Sequence, residues 1–164
     1  MALPEKEQIL DFLKEVKDPE VPVVDVVELG VVRNVAIENG QVRIDITPTY
    51  SGCPAMKVME QDILAVLKSR GIENVSIKTV FFPPWTTDWM SDETKQKLKA
   101  YGIAPPGKVA AQDLNPLHRQ EKKVSCPFCD SEDTRLTSQF GSTACKALYN
   151  CNSCRQPFEH FKCI

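Results

Sequence analysis

The sequence lacks the features that define several large classes of protein. It contains no apolar run that approaches the length of a membrane-spanning helix. The first residues, Met1–Lys6, are charged and lack the apolar segment of a secretory signal. The net charge is only −2 over 164 residues, with no strong excess of either sign. These absences predict a soluble globular protein of one or two domains that is not exported.

The motifs of common catalytic centres are also absent. The sequence has no P-loop, no G-x-G-x-x-G fingerprint and no Ser-His-Asp order. Its two histidines, His118 and His160, have no spaced partner that would suggest a metal ligand or a catalytic triad. The sequence therefore gives no positive evidence for an enzyme.

Cysteine, by contrast, occurs in an informative pattern. Of seven cysteines, four form two C-x-x-C pairs that lie 21 residues apart: Cys126, Cys129, Cys151 and Cys154. Each pair can present two thiolates to one ion, and two facing pairs make the tetrahedral four-sulfur site that structural zinc prefers. Iron on the same ligands, buried thiol pairs and disulfides remain alternatives. With no export signal, this cysteine usage indicates a reducing cytoplasm.

The segment 124–164 is predicted to be a small β zinc ribbon. Its 41 residues are too few to bury an adequate core alone, so a bound metal would supply the missing folding energy. Strands are predicted over 134–140, 146–150 and 156–162. The segment carries four basic and four acidic residues, which argues against nucleic-acid binding. Cys145 and Cys163 lie outside the pairs. They could approach the metal or a second cluster, but we interpret them as structural thiols.

The first 103 residues predict a small α-β-β-α-β domain with a short mixed sheet, which places the whole chain in the α+β class. Apolar periodicity predicts a helix over 5–16 and a second helix from Pro54 to Arg70. Asn39-Gly40 predicts a hairpin between strands 31–38 and 41–47, and a third strand follows at 75–81. Ser91 is expected to cap a last helix that ends near Tyr101. Residues 104–123 are predicted to be a linker.

Cys53 is the most informative residue outside the ribbon. It lies between a strand and a helix, and Pro54 suits the first helical turn, so Cys53 is expected at the helix N-cap. There the helix dipole would lower the thiol pKa, which indicates a reactive or cluster-binding thiolate. The alternative is a small buried cysteine at a tight turn. Asp18 and Glu20 could join this site or only cap a turn. Trp85 and Trp89 could form a partner surface or pack on the sheet.

Longer strings resemble known families. Asp18-Pro19-Glu20-Val21-Pro22, followed by Thr49-x-x-Gly52-Cys53-Pro54, resembles the domain of SufT-like iron–sulfur assembly factors. Other strings resemble the PaaD (PaaJ) family of phenylacetate-CoA oxygenase subunits: Pro48 to Ala55, Trp85 to Met90, Phe140 to Tyr149, and the ending Phe161 to Ile164. Motifs from both modules match, so the resemblance covers nearly the whole chain.

The resemblance implies a non-catalytic accessory subunit in aerobic phenylacetate degradation. Its oxygenase would epoxidise the ring of phenylacetyl-CoA, and the accessory protein would help to assemble a metal centre. The expected client is the reductase that carries a [2Fe–2S] cluster. Carried over residue by residue, the site that binds or transfers a transient iron–sulfur cluster comprises Asp18, Glu20, Thr49 and Cys53. Tyr50-Ser51 departs from the broader family, in which many members have Thr-Pro.

Three other functions compete with this interpretation. A zinc-ribbon module that binds nucleic acid is one of them, and the balanced charge of the ribbon disfavours it. An enzyme or redox protein could use Cys53 as a nucleophile, although the sequence offers Cys53 no obvious base. A rubredoxin-like electron carrier could use the four ribbon cysteines. Such knuckles usually have glycine after the second cysteine, where this chain has Asp130 and Arg155.

Overall fold

The chain forms two compact units in a computed structural model that describes residues 4–50, 52–108 and 123–162. The units are Met1–Trp85 and Thr86–Ile164. The contacts therefore group residues 86–103 with the second unit, whereas the sequence predicted a first domain of residues 1–103. The predicted linker 104–123 stays a prediction, because residues 109–122 lie outside the described part.

The first unit has the predicted α-β-β-α-β order and a mixed three-stranded sheet, which confirms this part of the expected fold. Strand β1 runs antiparallel to β2, and β2 runs parallel to β3. The elements are α1 (Lys6–Leu13), β1 (Val32–Glu38), β2 (Gln41–Ile46), α2 (Ala55–Ser69) and β3 (Val75–Thr79).

The predicted hairpin is present between β1 and β2. Asn39 and Gly40 both adopt positive φ angles, of 51° and 77°. This left-handed pair matches the twist of the two strands, and asparagine and glycine are the residues that adopt it most readily. The turn sets the register of the hairpin, in which Glu38 lies opposite Gln41.

The core of the first unit lies between one face of β2 and the two helices. Alternate residues of β2 are fully buried, as are the apolar faces of the helices. The buried residues are Val42, Ile44 and Ile46 of β2, Ile9 and Leu13 of α1, and Met59, Ile63 and Leu67 of α2. Full burial of one such side chain stabilises the fold by about 1.5–3 kcal/mol. Trp85 is also buried, and its indole N–H donates to the Leu29 carbonyl at 2.8 Å.

The second unit contains a short helix and a four-stranded sheet. After a 3-10 turn (Thr87–Trp89), its elements are α3 (Asp92–Ala100), β4 (Ile103–Ala104), β5 (Thr134–Ser138), β6 (Lys146–Cys151) and β7 (Pro157–Phe161). The sheet order is β4-β7-β6-β5, with β4 parallel to β7. Strand β4 was not predicted, because two residues are too short to show a strand pattern.

Helix α3 begins as the sequence predicts. The Ser91 side chain accepts the backbone N–H of Thr94 at 3.1 Å, which satisfies one of the unpaired donors of the first turn. Gly102 follows the helix with a φ of +92°. Within the described residues, no helix is long and apolar enough to cross a bilayer.

Candidate metal centre and thiol site

The two C-x-x-C pairs converge at one point of the second unit. The four sulfur atoms all lie within 4.8 Å of one another. Two of the separations join opposite knuckles: Cys126 Sγ is 3.7 Å from Cys154 Sγ, and Cys129 Sγ is 3.6 Å from Cys151 Sγ. A tetrahedral ion with Zn–S bonds of about 2.3 Å requires sulfurs about 3.8 Å apart, so the donor set fits zinc. All four cysteines are free in the structure, so the disulfide alternative is not what the structure shows.

The two knuckles repeat the same backbone geometry. The N–H of Cys126 donates to the Ser131 carbonyl at 2.9 Å, and the N–H of Cys151 donates to the Gln156 carbonyl at 3.0 Å. In each knuckle, therefore, the first cysteine bonds to the residue five positions later. The side chain of Ser131 also meets that of Ser153, at an Oγ–Oγ distance of 2.7 Å. This matched pair of turns directs both C-x-x-C segments towards one point.

The residue after each second cysteine has the backbone conformation that glycine usually supplies. Asp130 has a φ of 59° and Arg155 a φ of 61°. For a residue with a Cβ atom this left-handed conformation is costly, and aspartate tolerates it better than arginine. Asp130 also forms an ion pair with Lys99 at the end of α3. The knuckle turns thus form without glycine at either position.

The four-sulfur group is part of the core of the second unit. Cys126 and Cys151 are fully buried and pack in one cluster with Ala104, Val124 and Phe158. The backbone N–H of Cys154 donates to Cys151 Sγ at 3.5 Å and is the main cause that lowers the pKa of Cys151 to about 6. Because its pKa is lowered, the Cys151 sulfur favours the thiolate form, which is the form that binds a metal.

The remaining two cysteines of the ribbon differ from these four. Cys145 is buried, its Sγ lies 3.1 Å from Thr143 Oγ1, and it is not a member of the four-sulfur group. The burial of Cys145 and its absence from the four-sulfur group favour a structural role, which stays a prediction. Cys163 lies outside the described residues.

The second candidate site is the turn between β2 and α2 in the first unit. The N–H of Cys53 donates to the Tyr50 carbonyl at 3.3 Å, and Gly52 has a φ of 79° that permits this tight turn. Helix α2 begins at Ala55 with Pro54 as its N-cap. The sequence placed the N-cap at Cys53; the structure places it one residue later, at Pro54, whose φ of −70° and ψ of −23° are already helical, so Cys53 directly precedes the first residue with helical backbone angles.

The prediction of an acidic thiol at Cys53 is also wrong in direction. Burial raises the pKa of the Cys53 thiol, and the negative charges of Glu20 and Asp18 raise it further. The backbone N–H of Ala55 lowers this pKa, as expected at a helix N-terminus, but it does not outweigh the burial of the thiol. Cys53 is thus a half-buried thiol that stays protonated at neutral pH.

The structure brings both predicted carboxylates near Cys53 but separates their roles. Asp18 is buried, and its Oδ1 accepts the backbone N–H groups of Glu20 at 2.7 Å and Val21 at 2.9 Å. Asp18 therefore stabilises the turn that follows it, which was the alternative to a place in the Cys53 site. Glu20 is only half-buried, and its charge acts on Cys53 more strongly than that of Asp18. Thr49 is buried in the segment between β2 and Cys53.

Sequence reasoning missed the contribution of Tyr50. Burial is the largest influence on the pKa of the Cys53 thiol and raises it, whereas hydrogen bonding with the neighbouring Tyr50 side chain lowers it. In the sequence, Tyr50 stands out only as part of a departure from a family pattern. The available signal was the spacing of Tyr50, Gly52 and Cys53, which is compatible with a tight turn.

Two family models match the chain, and each covers one of these sites. Residues 6–78 match the model of an iron–sulfur cluster assembly protein. Residues 110–162 match the model of the PaaD zinc beta ribbon domain. The thiol site lies within the first match, and all four metal-site cysteines lie within the second.

Individual relatives agree with the two models. The chain is 44% identical, over all of its length and 96% of the relative, to a protein of Escherichia coli K12 described as one of the subunits of 1,2-phenylacetyl-CoA epoxidase. It is 36% identical, over 57% of its length and 90% of the relative, to an Fe-S protein maturation auxiliary factor of Porphyromonas gingivalis. A crystal structure of a DUF59 domain from Bacillus anthracis superposes with a TM-score of 0.53 at 32% identity, covering 57% of this chain and 90% of that domain.

Proposed function

Because the chain belongs to the PaaD family of phenylacetyl-CoA epoxidase subunits, we propose that it assists iron–sulfur cluster assembly for such an oxygenase. The observation that carries the proposal is the grouping of Cys53 with Glu20 and Asp18 inside the segment that matches iron–sulfur assembly proteins. The chain is an accessory protein without a reaction of its own, in phenylacetate degradation in the cytoplasm.

The proposed cargo is iron, alone or with sulfide in a cluster. A cysteine sulfur is the natural ligand of iron–sulfur units, and carboxylates attract the positive charge of an iron ion. Cys53 remains protonated until the cargo arrives, and the incoming metal displaces the proton. A site with one cysteine leaves other coordination positions of the iron to outside ligands. Such a site holds its cargo less firmly than a four-cysteine site and can release it to a client.

The same arrangement argues against the competing role of Cys53 as a nucleophile. A nucleophilic cysteine needs a stabilised thiolate, which a positive neighbourhood provides. Here burial and two negative carboxylates disfavour the charged sulfur. A negative neighbourhood suits a cation that is to be bound, and this favours the cargo-binding role.

The four ribbon cysteines are proposed to hold a structural zinc ion. Bound zinc would cross-link the two knuckles and supply no reaction chemistry. The freshly purified protein should therefore be colourless with one zinc per chain. A red protein with iron in place of zinc would support the electron-carrier alternative.

The proposed client is the reductase of the oxygenase, which carries a [2Fe–2S] cluster. The test is anaerobic loading of the full-length, zinc-bound protein with iron and sulfide, followed by transfer to the apo-reductase. We expect transfer from the native protein and loss of transfer in Cys53→Ser, because serine lacks the soft ligand. Cys145→Ser is the control that removes a thiol from the other unit, and it should transfer normally. Full transfer by Cys53→Ser would refute the proposed site.

Glu20→Gln and Asp18→Asn separate the two carboxylates in the same assay. Glu20→Gln should reduce transfer while the thermal stability stays close to that of the native protein. Asp18→Asn should lower the stability of the first unit, since it weakens two charge-assisted hydrogen bonds to the backbone. Equal stability losses in both variants would contradict this division of roles.

A further inference from the structure

Strand β3 lies at the edge of the sheet in the first unit, so one side of its backbone has no neighbouring strand among the described residues. The N–H of Val80 donates to the Ile46 carbonyl at 2.8 Å. In a parallel pair alternate residues point towards the partner strand, so the even-numbered residues from 76 to 80 bond to β2. The backbone groups of Ile77, Thr79 and Phe81 therefore point away from the sheet, and they form no hydrogen bond within the described part of the chain.

Two aromatic side chains continue this edge directly beyond the strand. Phe81 is 68% exposed and Phe82 is 87% exposed. The segment that carries them is held at both ends, because Val80 pairs with β2 and the buried indole of Trp85 donates to the Leu29 carbonyl at 2.8 Å. The fold thus presents two adjacent phenylalanines to solvent from a fixed position, which is typical of a binding surface.

The edge also runs towards the end of the sheet where the proposed cargo site lies. Strands β2 and β3 are parallel, so their carboxyl ends lie at the same end of the sheet. The chain leaves β2 there towards Cys53 and the start of α2, and it leaves β3 there towards Phe81. A segment bound along β3 is therefore directed to the end of the sheet that carries the thiol.

We propose that the β3 edge, which comprises the outward backbone of Ile77, Thr79 and Phe81 and the side chains of Phe81 and Phe82, is the docking site of the client. The occupant is an extended segment of the client that adds one strand to the sheet and carries cysteine ligands towards Cys53. This inference rests on the proposed function, which supplies the client. Backbone hydrogen bonds hold the segment in register, and its apolar side chains cover the two phenylalanines.

The size and the charge of the β3 edge favour a transient partner over a second copy of this chain. Two phenylalanine side chains and a five-residue strand offer roughly a few hundred Å², whereas a stable complex buries about 800 Å² on each partner. Lys78 is exposed in the same strand, and antiparallel pairing of two identical edges would bring two lysines close together. A small interface suits a client that binds, receives its cargo and leaves.

The first test measures binding of the apo-reductase to the full-length, zinc-bound protein in the absence of iron. The double variant Phe81→Ser/Phe82→Ser should weaken binding about tenfold or more, because it removes the apolar contacts at the end of the edge. Both side chains are exposed, so this variant should melt at the native temperature. Phe140→Ser is the matched control, since Phe140 is a similarly exposed phenylalanine of the second unit, and it should bind as the native protein does.

Thr79→Pro tests the backbone part of the proposal. Proline removes an N–H that forms no hydrogen bond within the described fold but that the client segment needs, so binding should weaken about tenfold. Thr79→Val is its control, because valine keeps this N–H and nearly the same shape, and it should bind normally. If Thr79→Pro lowers the stability of the first unit, the double phenylalanine variant still decides the question.

Native binding by the double variant would overturn the inference, and so would a native protein that does not bind the apo-reductase. A native dimer in sedimentation equilibrium that the double variant no longer forms would show that a second copy covers the edge instead.

Docking and cargo transfer can be separated in the same assays. The double variant should take up iron and sulfide normally but transfer them slowly, whereas Cys53→Ser should bind the apo-reductase without transferring cargo. Full transfer by Cys53→Ser would refute the proposed function, and the binding measurement, which needs no iron, would still decide whether the β3 edge is the docking site.

Discussion

Lys146 Nζ lies 3.0 Å from Glu159 Oε2, and this lysine is 3% exposed. Lys146 begins β6 and Glu159 lies in the neighbouring strand β7. The other carboxylate oxygen, Oε1, accepts the backbone N–H of Ser142 at 2.6 Å. One carboxylate thus links the segment that precedes β6 to two strands of the ribbon, and it neutralises a lysine that would be costly to bury alone.

The Glu159 interactions predict a pH dependence of stability. Burial alone would raise the pKa of Glu159, but the hydrogen bond from Ser142 and the charge of Lys146 hold it below the ordinary value of 4.5. Because the folded pKa is lowered, the stabilisation is complete above pH 4.5 and is lost as the pH falls through the folded pKa. Glu159→Gln should be less stable than the native protein at neutral pH, and the difference should shrink in acid.

Thermal unfolding of the zinc-bound protein as a function of pH measures this difference. Acid also releases zinc from thiolates, but this affects both proteins and does not create the difference between them. Glu132→Gln is the control, since Glu132 is exposed and pairs only weakly with an exposed lysine. A gap between native protein and Glu159→Gln that stays constant down to the lowest pH would refute the ion-pair assignment.

The second unit should depend on its metal. Cys151→Ser should lose zinc and unfold most of Thr86–Ile164, because a structural zinc site contributes about 10 kcal/mol or more, which exceeds the stability of most small domains. The first unit has its own core and should remain folded. Zinc content and hydrogen exchange by mass spectrometry provide the measurements. If the variant keeps its zinc and still exchanges slowly in β6 and β7, Cys151 is not a required ligand and the four-cysteine assignment is wrong.

Cys53 should react more slowly than an ordinary thiol. Since burial and two carboxylates raise its pKa, alkylation at neutral pH should be slower than that of the same segment in an unfolded peptide. Glu20→Gln should lower this pKa and increase the rate. The measurement is the alkylation rate from neutral pH upward, which yields the apparent pKa. An apparent pKa below about 8.5, the reference value for a free thiol, would show that the helix N-terminus dominates after all.

The left-handed knuckle residues predict an unusual stabilising substitution. Arg155→Gly should stabilise the zinc-bound second unit by about 0.5–1 kcal/mol, because relief of the left-handed strain exceeds the entropic cost of glycine. Asp130→Gly should be neutral or destabilising, since aspartate tolerates this conformation and pairs with Lys99. Denaturant unfolding of both variants tests the difference. If Arg155→Gly is the less stable of the two, backbone strain is not the governing term.

The sequence by itself determined the features that depend on a few neighbouring residues. The spacing of Cys126, Cys129, Cys151 and Cys154 indicated one four-sulfur centre, and their sulfurs do meet. Asn39-Gly40 indicated the hairpin, and the period of the apolar residues indicated the α-β-β-α-β order. These signals act through local backbone geometry and side-chain direction, which the sequence specifies directly.

Only the tertiary structure decided the properties that depend on groups far apart in the chain. The helix N-terminus next to Cys53 is visible in the sequence, but the burial of its thiol and the approach of Glu20 are not, and they reverse the expected direction of its pKa. The structure likewise assigned Asp18 to the backbone of its own turn and joined Ile103–Ala104 to the ribbon sheet. Burial, electrostatic potential and strand pairing depend on residues that are close in space but distant in sequence, so no local pattern of residues specifies them.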